Sequence, residues 1–442
     1  MPGRVRRVRL CRVGFVGSGG AGLYDDPVPA PAPAPSSPVR LAARLAQLAE
    51  LAPVGTTGSC RLALTDADRA ARDLLCAWMD EAGLEVRVDR IGNIVGIWSA
   101  AATEPDLAPV MTGSHLDTVA TGGRYDGAYG VVAGLEVVEA LRRAGARTRR
   151  PVAVAAFTNE EGARFTPDMM GSLAYAGGLP LEAALAAADA AGTTVGDELI
   201  RIGYQGVWPV PGPAPFAFVE LHIEQGPVLE ADGTDIGAVT SVQGISWQEL
   251  TFTGQSNHAG TTPMHLRRDA GLAAARVAAH VHDLVEELGG AQVGTVGRLE
   301  LFPNLVNVVA ARASVTVDLR NTDDARLAEA EHRLVTFARD LARRDGLELS
   351  VRPLVRFAPV GFDPDLVGLV ERAATARGLR VRRMPSGAGH DAQMLARICP
   401  AAMIFVPSAG GISHNPAEHT DPAQLHAGLA VLTDVLSELA DR

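Results

Sequence analysis

Thr112-Gly-Ser-His-Leu-Asp-Thr-Val119, followed by Gly122-Gly-Arg-Tyr-Asp-Gly127, comes directly after the apolar run Ala108-Pro-Val-Met111. A polar, glycine-bearing stretch behind an apolar one reads as a loop at the carboxyl end of a buried strand. His115 offers a ring nitrogen to a metal, and Asp117, two residues on, can take the other ring N–H and fix the tautomer. Asp126 brings a carboxylate into the same loop, where Gly122, Gly123 and Gly127 permit tight turns. Taken alone, these residues also suit a polar loop that binds only backbone and water, so the rest of the chain decides between the two.

Three further apolar runs end in the same way. Val152–Phe157 leads to Asn159-Glu160-Glu161-Gly162, Phe216–Val219 leads to Glu220-Leu-His222-Ile-Glu224-Gln225-Gly226, and Ala401–Val406 leads to Ser408 and Ser413-His414-Asn415. Helical periodicity, as at 131–143, lies between them. Strand, polar tip and helix in succession is the pattern of an α/β sheet, whose ligands collect at the carboxyl ends of its strands. Upstream, helices are expected over 39–50 and 65–82 and strands over 84–88 and 93–98. The alanine-rich stretch 181–191, with Glu182 and Asp189, reads as a solvent-facing helix.

Between about 243 and 355 the texture changes. Residues 247–252 and 314–319 alternate as half-exposed antiparallel strands do, and two long helices near 267–288 and 323–345 accompany them. Such strand-helix units suit a small α+β sandwich inserted into the larger domain. His414 follows the insert, so the chain must return to complete the first site.

At 442 residues the chain is too long for one ordinary core, which makes two domains the natural expectation. A net charge of −11 leaves no basic footprint for nucleic acid. No apolar run is long enough to span a bilayer as a helix, so no membrane partner is expected. Cys11, Cys60, Cys76 and Cys399 are scattered, which argues against a disulfide framework or a thiolate zinc site and fits a reducing cytoplasm. Any metal must therefore use His and carboxylate ligands. Residues 1–39 hold Arg4, Arg6, Arg7, Arg9 and Arg12 and then alternate Pro with small residues over 27–38. No clean apolar segment follows Arg6-Arg7 as a twin-arginine signal requires, so a disordered extension or a mis-called start is expected there.

The candidate ligands are His115, Asp126, Glu161, His222 and His414. Five His and carboxylate ligands without sulfur fit a paired site for zinc, manganese or cobalt, with nickel also accommodated, rather than a structural zinc. Two ions bridged by one carboxylate and a water need about this number of ligands, and Asp126 is the expected bridge. Adjacent side chains at a strand end point in different directions. Glu161 can then bind metal while Glu160 faces the water as general base and later protonates the leaving nitrogen. Glu160-Glu161 alone could be an ordinary acidic helix start; five such residues at four strand tips argue for the metal site.

Further stretches carry a resemblance. They are Glu160-Glu-Gly-Ala-Arg-Phe165, His222-Ile-Glu-Gln-Gly-Pro-Val-Leu-Glu230, Ser256-Asn-His-Ala-Gly-Thr-Thr-Pro-Met264, Asn304-Leu-Val-Asn-Val-Val309, Asp318-Leu-Arg320, Ser386-Gly-Ala-Gly-His-Asp391 and Gly411-Ile-Ser-His414. With the opening stretch, they make the chain from about residue 40 onward resemble the amidohydrolases acting on N-carbamoyl groups. That family includes N-carbamoyl-L-amino-acid hydrolase, allantoate amidohydrolase and the related β-ureidopropionase, in the dinuclear-zinc aminoacylase/carboxypeptidase superfamily. The resemblance implies an α/β catalytic domain with a central mixed sheet flanked by helices (40–242 and 356–442) and an inserted α+β lid that also dimerises (243–355).

It further implies that Asp117 orients His115 and that His258 stabilises the oxyanion, often across a homodimer. Asn307 and Arg320 would hold the substrate carboxylate, while Gln225 and the backbone of Gly387–Gly389 line the same pocket. An Arg fork does suit a carboxylate, and a small-residue loop around His258 could approach a substrate closely. His390 could support the ligands from behind; His265, His282 and His419 are assigned to structure. Asn307-Val-Val-Ala310 has alanine where many relatives carry proline, which touches backbone rather than chemistry. The implied reaction is hydrolysis of a ureido C–N bond beside a carboxylate, giving ammonia and carbon dioxide, with allantoate and N-carbamoyl-L-amino acids not separable by these motifs. The rivals are an N-acyl-amino-acid amidohydrolase of the aminoacylase or peptidase type and a metal-binding module without catalysis.

Overall fold

The structure, a computed structural model, describes residues 36–442. Most of the expected N-terminal extension lies outside the described residues. The first described helix, Pro38–Glu50, starts where Ser37 Oγ accepts from the N–H of Arg40. It lies against the helix Ala128–Ala144, with Arg40 and Arg44 both paired to the buried Glu136.

In chain order, a short hairpin of β1 (Pro53–Val54) and β2 (Gly58–Ser59) precedes the main sheet. That sheet begins with β3 (Glu85–Val88), β4 (Ile94–Trp98), β5 (Val110–His115), β6 (Val152–Phe157), β7 (Ala217–Ile223) and β8 (Ile236–Val242). The chain then leaves for β9 (Gly244–Thr253), β10 (Val293–Phe302), β11 (Arg312–Asn321) and β12 (Glu348–Phe357). It returns as β13 (Val360–Gly361), β14 (Val381–Ser386) and β15 (Ala401–Val406). The two crossings touch, because Val360 pairs with Val242.

In the main sheet the order is β13-β8-β15-β7-β5-β6-β4-β3, with β14 on the other side of β8. Strands β15, β7, β5 and β6 run parallel to one another, so their carboxyl ends share one edge. The flanking β4 and β8 run antiparallel to them, which makes the sheet mixed. Every residue of these four parallel strands is buried, as continuous apolar runs require when both faces are covered. The helices Ala128–Ala144 and Pro422–Asp441 cover them.

The insert is a four-stranded antiparallel sheet, β10-β11-β9-β12, with the helices Ala270–Leu288 and Asp324–Asp345 on one face. Leu250, Phe252, Val315, Val317 and Leu319 point into that interface and form a core separate from the main one. Alternation sends Ile245, Trp247, Asp318 and Arg320 to the opposite face, with Ile245 across from Arg320 and Trp247 across from Asp318.

One helix is shorter than the sequence suggests. The stretch 181–191 is helical only over Leu181–Ala186. Beyond it, Asp189 Oδ1 accepts from the N–H groups of Ala191 (2.9 Å) and Thr193 (3.0 Å), a local turn that displaces helix.

Candidate active site

Each of the four parallel strands delivers a side chain to the shared edge. His115 ends β5, Glu160 and Glu161 follow β6, His222 lies near the end of β7, and His414 sits in the loop after β15. Asp126, just before the helix Ala128–Ala144, lies among them. Its Oδ1 is 3.5 Å from His115 Nε2 and 3.3 Å from His222 Nε2, and its Oδ2 is 3.5 Å from His414 Nε2. Glu161 Oε2 is 3.2 Å from the same nitrogen of His414.

These spacings test whether a metal fits. Two donors each about 2.1 Å from a tetrahedral ion stand about 3.4 Å apart. Such pairs are at the long end for hydrogen bonds but match that edge. The donors fall into two groups, His115–Asp126–His222 and Asp126–Glu161–His414, sharing Asp126 through different oxygens. Only nitrogen and oxygen donors are present, as zinc or manganese accepts.

Backbone contacts aim the imidazoles. His115 Nδ1 donates to the carbonyl of Asp117 (2.9 Å) and His222 Nδ1 to that of Ile223 (2.9 Å), which turns both Nε2 atoms toward Asp126, with the N–H of Gly127 also 3.1 Å from His222 Nε2. Here the structure departs from the sequence reading of Asp117. Its carbonyl, not its carboxylate, holds His115; the carboxylate instead accepts from the N–H groups of Glu160 (3.2 Å) and Glu161 (3.3 Å). The carboxylate thus fixes the loop that carries both glutamates. Gly127 has φ +63°, and a Cβ there would lie 2.4 Å from His115 Cε1. Asn159, Met169, Gln225 and His414 also have positive φ, strain concentrated around this one cavity.

Burial works against charge throughout the cluster. It opposes protonation of His115, yet Glu160, Asp126 and Asp117 hold that ring well above the ordinary histidine range. Burial likewise raises Asp126, but hydrogen bonds from His115 and His222 outweigh it and keep the carboxyl well below its usual range. Glu160 and Glu161 are pushed well up, first by burial and then by neighbouring carboxylates. A crowd of carboxylates around two buried imidazoles is a site that a cation would relieve.

A cavity of about 180 Å³ opens over these groups. Besides the five candidate ligands and Glu160, it is lined by Gln225, Arg320, Gly389 and His390. Gln225 Nε2 donates to Asp126 Oδ2 (2.8 Å), leaving its buried Oε1 without a partner among the described residues. Arg320 reaches from the insert to donate to the carbonyl of Gly387 (2.6 Å). His390 shares a hydrogen bond with Ser386 (2.9 Å) and packs edge-on against His222 (4.7 Å between ring centres).

His258 and Asn307 are not brought to this cavity. Both are exposed on the insert, held side by side by the N–H of Ala259 donating to the carbonyl of Asn307 (2.9 Å). His258 Nδ1 accepts from the N–H of Gly260 (3.0 Å), which leaves Nε2 as the donor.

Several functional neighbours were not singled out from sequence. Glu418 accepts from the N–H groups of Tyr125 (2.9 Å) and Asp126 (3.2 Å), and burial pushes it to about 7. Glu220 accepts from Ser114 Oγ (2.6 Å) beneath the ligands. Asp168, Met169, Ile245 and Trp247 line the cavity. The only sequence signal for Glu418 and Glu220 is proximity to His414 and His222.

Comparison with known proteins places these features. Residues 111–438 match Peptidase family M20/M25/M40. The chain is 42% identical over 402 residues to an N-carbamoyl-L-amino-acid amidohydrolase of Rhizobium meliloti, covering 91% of this chain and 96% of that one. It is 36% identical over 367 residues to an allantoate amidohydrolase of Bacillus subtilis, covering 82% and 88%. Among solved structures, an amidase of the hydantoinase/carbamoylase family from Burkholderia multivorans superposes with a TM-score of 0.90 at 44% identity, covering 92% of this chain and 99% of that one.

Proposed function

Since the chain belongs to Peptidase family M20/M25/M40, we propose that it is a metal-dependent amidohydrolase that cleaves the ureido C–N bond of a small carboxylate-bearing substrate. The products are ammonia, carbon dioxide and the free amine. One observation carries the reading: two three-residue donor groups share Asp126 beside Glu160, in a cavity that Arg320 also lines.

His115, His222 and Asp126 would hold one divalent ion, and Asp126, Glu161 and His414 a second, with zinc or manganese the best matches. When bound, such ions polarise a carbonyl and lower the pKa of water. Glu160 Oε2, 3.3 Å from His115 Nε2, takes the proton of the attacking water and returns it to the leaving nitrogen. Gln225 Oε1 offers an acceptor to the ureido N–H groups, and Arg320 takes the carboxylate.

His258 and Asn307 are exposed and do not line their own cavity, so a second copy would supply them, His258 Nε2–H donating to the oxyanion. The homodimer this requires has a ready surface on the edge strand β10, where Val293, Leu299, Leu301 and Phe302 are exposed. The insert then acts as both lid and dimerisation unit. Cys60, Cys76 and Cys399, unpaired among the described residues, suit a reducing, cytoplasmic setting. Glu160→Gln tests the assignment: turnover is lost while metal content is kept, and near-normal activity would overturn it.

A further inference from the structure

Among the cavity-lining residues without a task in the reaction described above are Asp168, Met169, Ile245 and Trp247. Three of these four are apolar. Met169 is buried at φ +48°, its N–H donates to the carbonyl of Glu160 (2.7 Å), and its Cε lies 2.9 Å from where a Cβ on Gly389 would be. Ile245 and Trp247 stand on the same insert face as Arg320 and directly across the ladder from Arg320 and Asp318. Trp247 lines this polar cavity and remains 39% exposed. Asp168 also lines the cavity, next to Met169 in the chain, and among the described residues no Lys, Arg or His pairs with it.

An α-carbon has few directions to offer. With its carboxylate at Arg320 and its ureido nitrogen toward Glu160 and the metal ligands, the remaining heavy substituent must meet these residues. We propose that Met169, Ile245 and Trp247 form a subsite for an apolar side chain on the substrate, with Asp168 at its rim excluding an acidic one. The inference rests on the ureido-acid reading and narrows it to N-carbamoyl amino acids with apolar side chains. Allantoate fits less well, because its second ureido group would meet three apolar walls and one acceptor, leaving polar atoms unpaired.

The test is kcat/KM of the metal-loaded protein on N-carbamoyl-glycine, N-carbamoyl-L-methionine, N-carbamoyl-L-aspartate and allantoate, for the natural chain, Trp247→Ala and Asp168→Asn. The methionine substrate should exceed glycine by at least about tenfold, since each buried methylene contributes severalfold. Trp247→Ala should cut the methionine-to-glycine ratio by about tenfold, and Asp168→Asn should raise the aspartate-to-methionine ratio by a similar factor. These ratios are internal to each variant, so partial misfolding does not move them. Allantoate ahead of methionine, or ratios that neither variant moves, would overturn the subsite while leaving ureido hydrolysis standing. No turnover of any of the four would overturn both.

Discussion

Arg320 gives the sharpest mutational prediction, because its donors can be counted. A guanidinium has five N–H groups. Nε and Nη2 donate to Asp318 (3.1 and 2.8 Å to Oδ2), and Nη1 donates to the carbonyl of Gly387 (2.6 Å). Two N–H groups, one on each terminal nitrogen, remain for a substrate carboxylate. A hydrogen bond to a charged group contributes about 1.5–3 kcal/mol. The side chain is 25% exposed, so the lower figure applies, and two bonds together amount to about 3 kcal/mol, or roughly 100-fold in kcat/KM. Arg320→Gln should lose about that much. Arg320→Lys, which keeps the charge but not the fork, should lose roughly tenfold. Asp318→Asn should raise KM several-fold with little change in kcat, because it only loosens the aim of the fork. Initial rates of ammonia release against substrate concentration separate these effects. An alkylurea without a carboxylate serves as control, since Arg320→Gln should barely alter its rate. Equal losses on both substrates, or a loss below threefold on the acid, would refute the assignment.

Two further outcomes follow from the ligand cluster. Gly127→Ala should abolish activity and reduce bound metal measured by elemental analysis, because its Cβ would displace the His115 ring and its φ of +63° disfavours a side chain. Apparent metal affinity should rise with pH. Although burial opposes their charge, the metal-free His115 and His222 have pKa values raised above 6.5 by neighbouring carboxylates, so an incoming ion must displace their protons. Each displaced proton steepens the affinity by about tenfold per pH unit until the raised pKa is passed. Calorimetric titrations at several pH values, in buffers of different ionisation enthalpy, read the proton count directly; a pH-independent affinity would contradict the picture.

The parallel strands β5, β6, β7 and β15 were legible in sequence because each opens on apolar residues and leads into polar ones at or just past its carboxyl end. The inner strands of the insert showed through alternation. Its edge strands β10 and β12 did not, since they are exposed along most of their length and β12 contains Pro353. The five candidate ligands stood out as His and carboxylates at strand tips. Which atom of Asp117 holds His115 could not be read, because carbonyl and carboxylate are equally near in sequence. Trp247 looked like an ordinary alternating strand residue and Ile245 lay outside the strand expected over 247–252; only the register that sets them beside Asp318 and Arg320 brings them to the cavity. Met169 and Asp168 enter it through a left-handed turn that no periodicity announces.

The most direct test of the central claim is ammonia release by the purified protein, stripped with chelator and then reloaded with zinc or manganese, on N-carbamoyl-L-methionine beside N-acetyl-L-methionine. Metal-dependent ammonia release from the carbamoyl substrate, with little amine release from the acetyl one, is the predicted result. Turnover of the acetyl substrate alone, or ammonia release that survives chelation, would contradict the account.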